Sequence, residues 1–204
     1  LDAEGVIFAI LMVAIPSLIF IVIQSARRRE GLLWGFKTGL PVISSPAIGP
    51  SGIIYVRSTN QSIYALDGKT GINKWEFVSE DAVVFSPAVG TDGTVYVGSH
   101  SKVQALDGKT GLPKWEFETG NVVVSPAIGA DGTIYIGSSD KKFYALDGRS
   151  GAKNWEFQTG YEVEAAAAIG ADGTVYFGSG EFILDRGISG SMPWTDKRAT
   201  RNGR

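Results

Sequence analysis

Between residues 31 and 194 the chain runs as short apolar stretches cut at regular intervals by Gly, Pro, Asp and Ser. One stretch, Thr94-Val95-Tyr96-Val97-Gly98, follows Asp92-Gly93, and the next, Val103-Gln104-Ala105-Leu106, runs into Asp107-Gly108. Both read as strands, being rich in β-branched and aromatic residues and bounded by turn formers. Asp-Gly suits the positive backbone dihedral of tight hairpin turns, and it recurs at Asp92-Gly93, Asp131-Gly132 and Asp172-Gly173. In Trp115-Glu116-Phe117-Glu118 the pattern alternates, so both rings fall on one face of a strand and both carboxylates on the other. The ring face is predicted to be core and the Glu face solvent.

The same pattern returns along the chain. The five Trp residues stand at 34, 75, 115, 155 and 194, so the spacings are 41, 40, 40 and 39. Copies open on Ser45-Pro46-Ala47-Ile48-Gly49, Ser86-Pro87-Ala88-Val89-Gly90 and Ser125-Pro126-Ala127-Ile128-Gly129, and close on Trp75-Glu76-Phe77, Trp115-Glu116-Phe117 and Trp155-Glu156-Phe157. A later, degraded copy holds Ala166-Ala167-Ala168-Ile169-Gly170 and Val175-Tyr176-Phe177-Gly178. Each copy carries four apolar runs and is predicted to be a four-stranded antiparallel blade. A period near 40 with this content marks a β-propeller, whose units are too small to bury an apolar face alone. A Trp recurring once per unit offers a large buried surface and an N–H that needs an acceptor, which suits it to staple neighbouring blades.

Each of three copies carries a longer signature. Ala65-Leu66-Asp67-Gly68-Lys69-Thr70-Gly71 leads to Trp75, Ala105 through Asp107 and Gly111 lead to Trp115, and Ala145 through Asp147 and Gly151 lead to Trp155. In the last copy Ser150 stands where the others have Thr. These segments resemble the tryptophan-docking motif, A-x-D-x-x-T-G-x-x-x-W, of pyrroloquinoline-quinone-type β-propellers. The resemblance implies a propeller in which Trp34, Trp75, Trp115 and Trp155 pack between blades, with the motif's Ala, Asp and Thr-Gly shaping the turn that receives the ring.

The N-terminus differs in kind. Residues 5–23, GVIFAILMVAIPSLIFIVI, contain no charge, and at about 1.5 Å per residue they are long enough to cross a bilayer core of about 30 Å. A cleavable signal peptide needs a basic leader and a small-residue cleavage site, and neither flanks the run. A retained single-pass transmembrane helix is therefore expected, with the lipid bilayer as a partner and Arg27, Arg28 and Arg29 at the membrane interface. The basic flank places the propeller inside the cell, whereas the resemblance implies the periplasm of a bacterium. The resulting division is an anchor with its basic flank over 1–30, repeats over 31–194 and a basic tail over 195–204.

Counting strands leaves two architectures. The Trp-bearing outer strands fall at Trp34, Trp75, Trp115 and Trp155, and the inner strands start near Ser45, Ser86, Ser125 and Ala166. Four blades close into a ring if the strand at Trp34 completes the last one, with Trp194 as a decayed or capping copy. Otherwise the chain forms a half-ring with exposed edges, open to a partner or to homo-oligomerisation. The near-matched ends favour closure.

Composition narrows the chemistry. There is no Cys, which removes disulfides and thiolate sites. From residue 31 to residue 186 twelve basic residues face seventeen acidic ones, a net of −5 that gives no support to a nucleic-acid surface. The single His, His100, follows a strand in a turn, where a surface role is expected rather than catalysis. Asp67, Asp107 and Asp147 lie one to a repeat, and a calcium site needs several oxygens converging in one small volume. Turn capping is their expected role. The resemblance brings to mind a quinoprotein dehydrogenase using pyrroloquinoline quinone and calcium, but those enzymes have more blades and many carry a vicinal Cys pair. No catalytic residue, cofactor or metal is assigned. The expected function is that of a membrane-anchored noncatalytic propeller that binds other protein subunits, like the noncatalytic propeller lipoprotein of the outer-membrane assembly machine. A dehydrogenase fragment and a ligand-sensing propeller are the alternatives.

Overall fold

The computed structural model describes residues 31–81, 85–180 and 182–186. The chain divides into two compact units, residues 1–32 and 33–204, and all fifteen strands described belong to the second. Residues 5–23, the Arg27–Arg29 triplet, Trp194 and the basic tail lie outside the described residues. Among the described residues no helix is long and apolar enough to cross a membrane.

The strands form four antiparallel sheets in sequence order. The first holds β1 (Ala47–Ile48), β2 (Ile53–Arg57), β3 (Ser62–Asp67) and β4 (Asn73–Val78). The second holds β5 (Ala88–Val89), β6 (Thr94–Gly98), β7 (Lys102–Asp107) and β8 (Pro113–Glu118). The third holds β9 (Ala127–Ile128), β10 (Thr133–Ser138), β11 (Lys142–Asp147) and β12 (Lys153–Gln158). The fourth holds β13 (Ala168–Ile169), β14 (Val175–Ser179) and β15 (Phe182–Arg186). Every strand pairs with its sequence neighbour, the order of a propeller blade.

Hairpin chemistry fixes these registers. Gly93, Gly132 and Gly173 hold φ of 85°, 85° and 82°, the left-handed region that the Asp-Gly dipeptides supply. The preceding Asp carboxylate accepts from the N–H and hydroxyl of Thr94, Thr133 or Thr174, pinning the strand entrance. Each of the first three sheets carries one bulge at the same place: Ala65 pairs with Trp75 but Leu66 with Asn73, so Lys74 is the extra residue. Lys114 and Asn154 hold that place in the next two sheets.

The core lies between sheets. Tyr55, Ile63 and Ala65 of the first sheet join Val95, Val97 and Leu106 of the second in one buried cluster. Tyr96, Val103 and Ala105 meet Ile134, Ile136, Tyr144 and Leu146 in the next, and Tyr135, Phe143 and Ala145 meet Val175 and Phe177 in the third. The middle strands β6, β7, β10 and β11 therefore bury both of their faces, and apart from Gln104 their interiors read as short apolar runs. The outer strands β4, β8 and β12 bury one face only, and Trp-Glu-Phe alternates accordingly.

Two features depart from the sequence reading. The fourth sheet has three strands among the described residues, and the segment around Trp34, read as the strand that completes the last blade, joins no sheet among them. Trp34 and Phe36 lie against Val56, Tyr64 and Leu66 of the first blade. That is the place that Trp75 and Phe77 take on the second blade, where an outer strand rests on the blade that follows it, so the packing matches an outer-strand role while no ladder includes the segment among the described residues.

Candidate functional site

The residues singled out by the repeat converge at the blade-to-blade junction. Across the ladder Ala65 stands opposite Trp75, Ala105 opposite Trp115 and Ala145 opposite Trp155. All three Ala are fully buried. A methyl group there leaves room beside the indole, and the indole leans out toward the next blade. Trp75 Nε1 donates to the carbonyl of Gly108 at 2.9 Å, Trp115 Nε1 to Gly148 at 3.0 Å and Trp34 Nε1 to Gly68 at 3.0 Å.

The receiving loop is held by the motif Asp. The Asp67 carboxylate accepts from the N–H groups of Lys69 and Thr70 and from the Thr70 hydroxyl, at 3.1, 3.0 and 3.0 Å. Asp107 makes the same set with Lys109 and Thr110. Asp147 makes it with Arg149 and Ser150, so the Ser keeps the hydroxyl bond of the Thr it replaces. These bonds favour the ionised form. The Thr70 N–H, the Thr70 hydroxyl, the Lys69 N–H and Lys74 hold the Asp67 carboxyl down at about 2. Asp107 is lowered chiefly by the Thr110 N–H and hydroxyl, and Asp147 chiefly by the Ser150 hydroxyl and N–H.

Glycine ends the loop for a steric reason. Gly71, Gly111 and Gly151 have φ of 71°, 75° and 74°. A Cβ on Gly111 would lie 2.8 Å from the Trp75 ring, one on Gly151 2.7 Å from Trp115, and one on Gly71 2.5 Å from Trp34. The indole of one blade rests flat on the bare backbone of the next.

A second recurring side chain, absent from the sequence argument, completes the junction. Tyr55 donates its hydroxyl to Gly108 O at 2.9 Å and Tyr96 to Gly148 O at 3.0 Å. One carbonyl thus takes an indole N–H and a phenol O–H from the preceding blade, satisfying both lone pairs. The two rings sit side by side, with centroids 5.7 Å apart for Tyr55–Trp75 and 5.8 Å for Tyr96–Trp115. Burial pushes the Tyr96 hydroxyl up to about 12, and burial with the Asp107 charge raises Tyr55. The signal was present, since Tyr55, Tyr96, Tyr135 and Tyr176 recur with the Trp period.

Trp155 packs on Tyr135 and Phe143, with centroids 6.0 and 6.1 Å away. His100 is exposed in the bend between β6 and β7. Among the described residues no group of three or more His, Asp or Glu is placed to hold a metal ion. What the geometry does is join one blade to the next.

The comparisons with known proteins fit this architecture. The family model of the outer membrane protein assembly factor BamB matches residues 21–197. The structure of BamB from Moraxella catarrhalis is similar at a TM-score of 0.64 and 22% identity, over 72% of this chain and 46% of that one. A quinohemoprotein alcohol dehydrogenase, ADHIIG from Pseudomonas putida HK5, is similar at 0.62 and 20%, over 73% and 30%. The computationally designed Ika4 protein is similar at 0.65 and 15%, over 74% of this chain and 94% of that one. The chain spans less than half the length of the BamB structure it matches. Among curated protein sequences none matches.

Proposed function

The chain belongs to the BamB family of pyrroloquinoline-quinone-type β-propeller proteins, and on that premise we propose that it is a noncatalytic propeller scaffold, periplasmic or associated with the outer membrane of a bacterium, that docks other protein subunits of an assembly complex. The match of the BamB family model over 21–197 is the observation that carries this reading. The junction geometry supports it: the recurring Trp, Asp, Ala and Gly residues are spent on binding blade to blade, which leaves the exposed strand faces and loops for partners. Residues 5–23 are the proposed membrane anchor, with Arg27, Arg28 and Arg29 at the lipid headgroups.

The test is chemical cross-linking in intact membranes, followed by extraction in mild detergent and identification of the joined chains. Discrete protein partners at fixed stoichiometry are expected. Recovery of the chain without any cross-linked partner removes the scaffold reading.

The similarity to the quinohemoprotein alcohol dehydrogenase favours a second reading, a fragment of a quinone-dependent oxidoreductase. Fold alone does not carry a cofactor. Added pyrroloquinoline quinone and calcium are expected to produce neither stoichiometric binding by absorbance nor alcohol oxidation. Either result would put the oxidoreductase first.

A further inference from the structure

The loops that receive the indoles carry a surface that the junctions do not use. Each joins the third and fourth strands of its blade, at the same end as the turn between the first and second; Gly68 N–H donates to Gly52 O at 3.1 Å. Just past the loop glycine stand Ile72 and Leu112, at one place in successive blades, 63% and 65% exposed. Their carbonyls accept from the Asp67 and Asp107 N–H groups, so the backbone is spent on the loop while the residue stays in solvent. Single exposed apolar residues are ordinary. These two recur at one register, among cations.

Lys69, Lys109 and Arg149 are exposed in the same loops and form no ion pair among the described residues. The loop carboxylates of Asp67, Asp107 and Asp147 accept from N–H groups of their own loops. Cations and carboxylates balance at this end, six of each over the three loops and the three Asp-Gly turns. The opposite end is acidic: Glu80, Glu118, Glu162 and Glu164 are exposed there, against Lys141. The chain also joins the blades at the loop end. Trp34 lies against Gly68 and Gly71, and its segment runs from there to Thr38, which meets Asn60 at the opposite end. Residues 5–23 are the proposed anchor, and the ten residues 24–33 reach at most about 35 Å when fully extended.

We propose that the loop end is a lipid-contacting face, with Ile72 and Leu112 entering the headgroup region of a bilayer and Lys69, Lys109 and Arg149 meeting anionic headgroups. The inference rests on the proposed anchor and adds to it the face that the blades turn to the membrane. An anionic surface repels the acidic end and admits the balanced end with its apolar tips, which leaves one orientation. The acidic end then points away from the lipid, toward the protein partners of the scaffold reading.

The chain has no Cys, so one fluorophore can be placed at Ile72→Cys, Leu112→Cys or Glu162→Cys of the full chain, reconstituted in vesicles of phosphatidylethanolamine and phosphatidylglycerol. All three positions are exposed, and unchanged circular dichroism shows that the variants fold. With brominated acyl chains the labels at 72 and 112 are expected to be quenched about twofold or more, and the label at 162 to be unchanged. Replacing phosphatidylglycerol by phosphatidylcholine, or adding K69E together with K109E, should relieve that quenching. Vesicle flotation reads the anchor separately. A chain that floats with the labels at 72 and 112 no more quenched than the label at 162 overturns this proposal alone. Quenching indifferent to headgroup charge overturns it as well. A chain that fails to float overturns the anchor and the proposal together.

Discussion

At the scale of single residues the junction rests on a Trp and a Tyr that share one carbonyl. Losing the Trp115 ring removes its contacts with Tyr96 and empties the space above Gly151. Trp115→Ala should cost about 3–5 kcal/mol in equilibrium unfolding. Trp115→Phe keeps a ring but loses the N–H to Gly148 O, and should cost less. The Trp period made this residue legible in the sequence. Tyr96 was equally periodic, yet lay inside a run of Val and Tyr that reads as ordinary strand, and which hydroxyl reaches which carbonyl, 52 residues on, is set by how two blades stack. Acid offers a separate test, of Asp67. Its folded-state carboxyl lies at about 2 against an ordinary 3.8. Its stabilisation is therefore complete above 3.8 and lost as pH falls through about 2. A carboxyl NMR titration should show the low midpoint, and Thr70→Val should move it upward by removing the hydroxyl bond.

At the scale of elements the sequence set the strands well wherever local chemistry decides them. Asp-Gly turns, the alternation of Trp-Glu-Phe and the Asp-x-x-Thr-Gly loop each act within a few residues, and three sheets follow from them. The fourth departs where those signals decay, with three strands among the described residues. Trp34 shows the other limit, because its pattern is that of an outer strand while its segment joins no sheet among the described residues. The receiving loop itself is testable at Gly111. Its positive φ and the Trp75 ring 2.8 Å from a built Cβ both oppose a side chain. Gly111→Ala should cost about 1–3 kcal/mol. Gly160→Ala, with open space around it, should change stability by less than about 0.5 kcal/mol in the same urea titration.

At the scale of the whole molecule, a row of blades joined only to nearest neighbours should not be equally stable along its length. Among the described residues blades two and three meet a neighbouring blade on both faces, and the first and fourth on one. Local opening costs least where few apolar contacts must break. Hydrogen exchange should therefore be slowest in β6, β7, β10 and β11 and faster in β1, β14 and β15. The distribution also separates the architectures open to the chain. A ring closed within one chain covers all four blades and predicts even protection at any concentration. A half-ring with open edges predicts that β14, β15 and the leading strands stay less protected than β7 and β10.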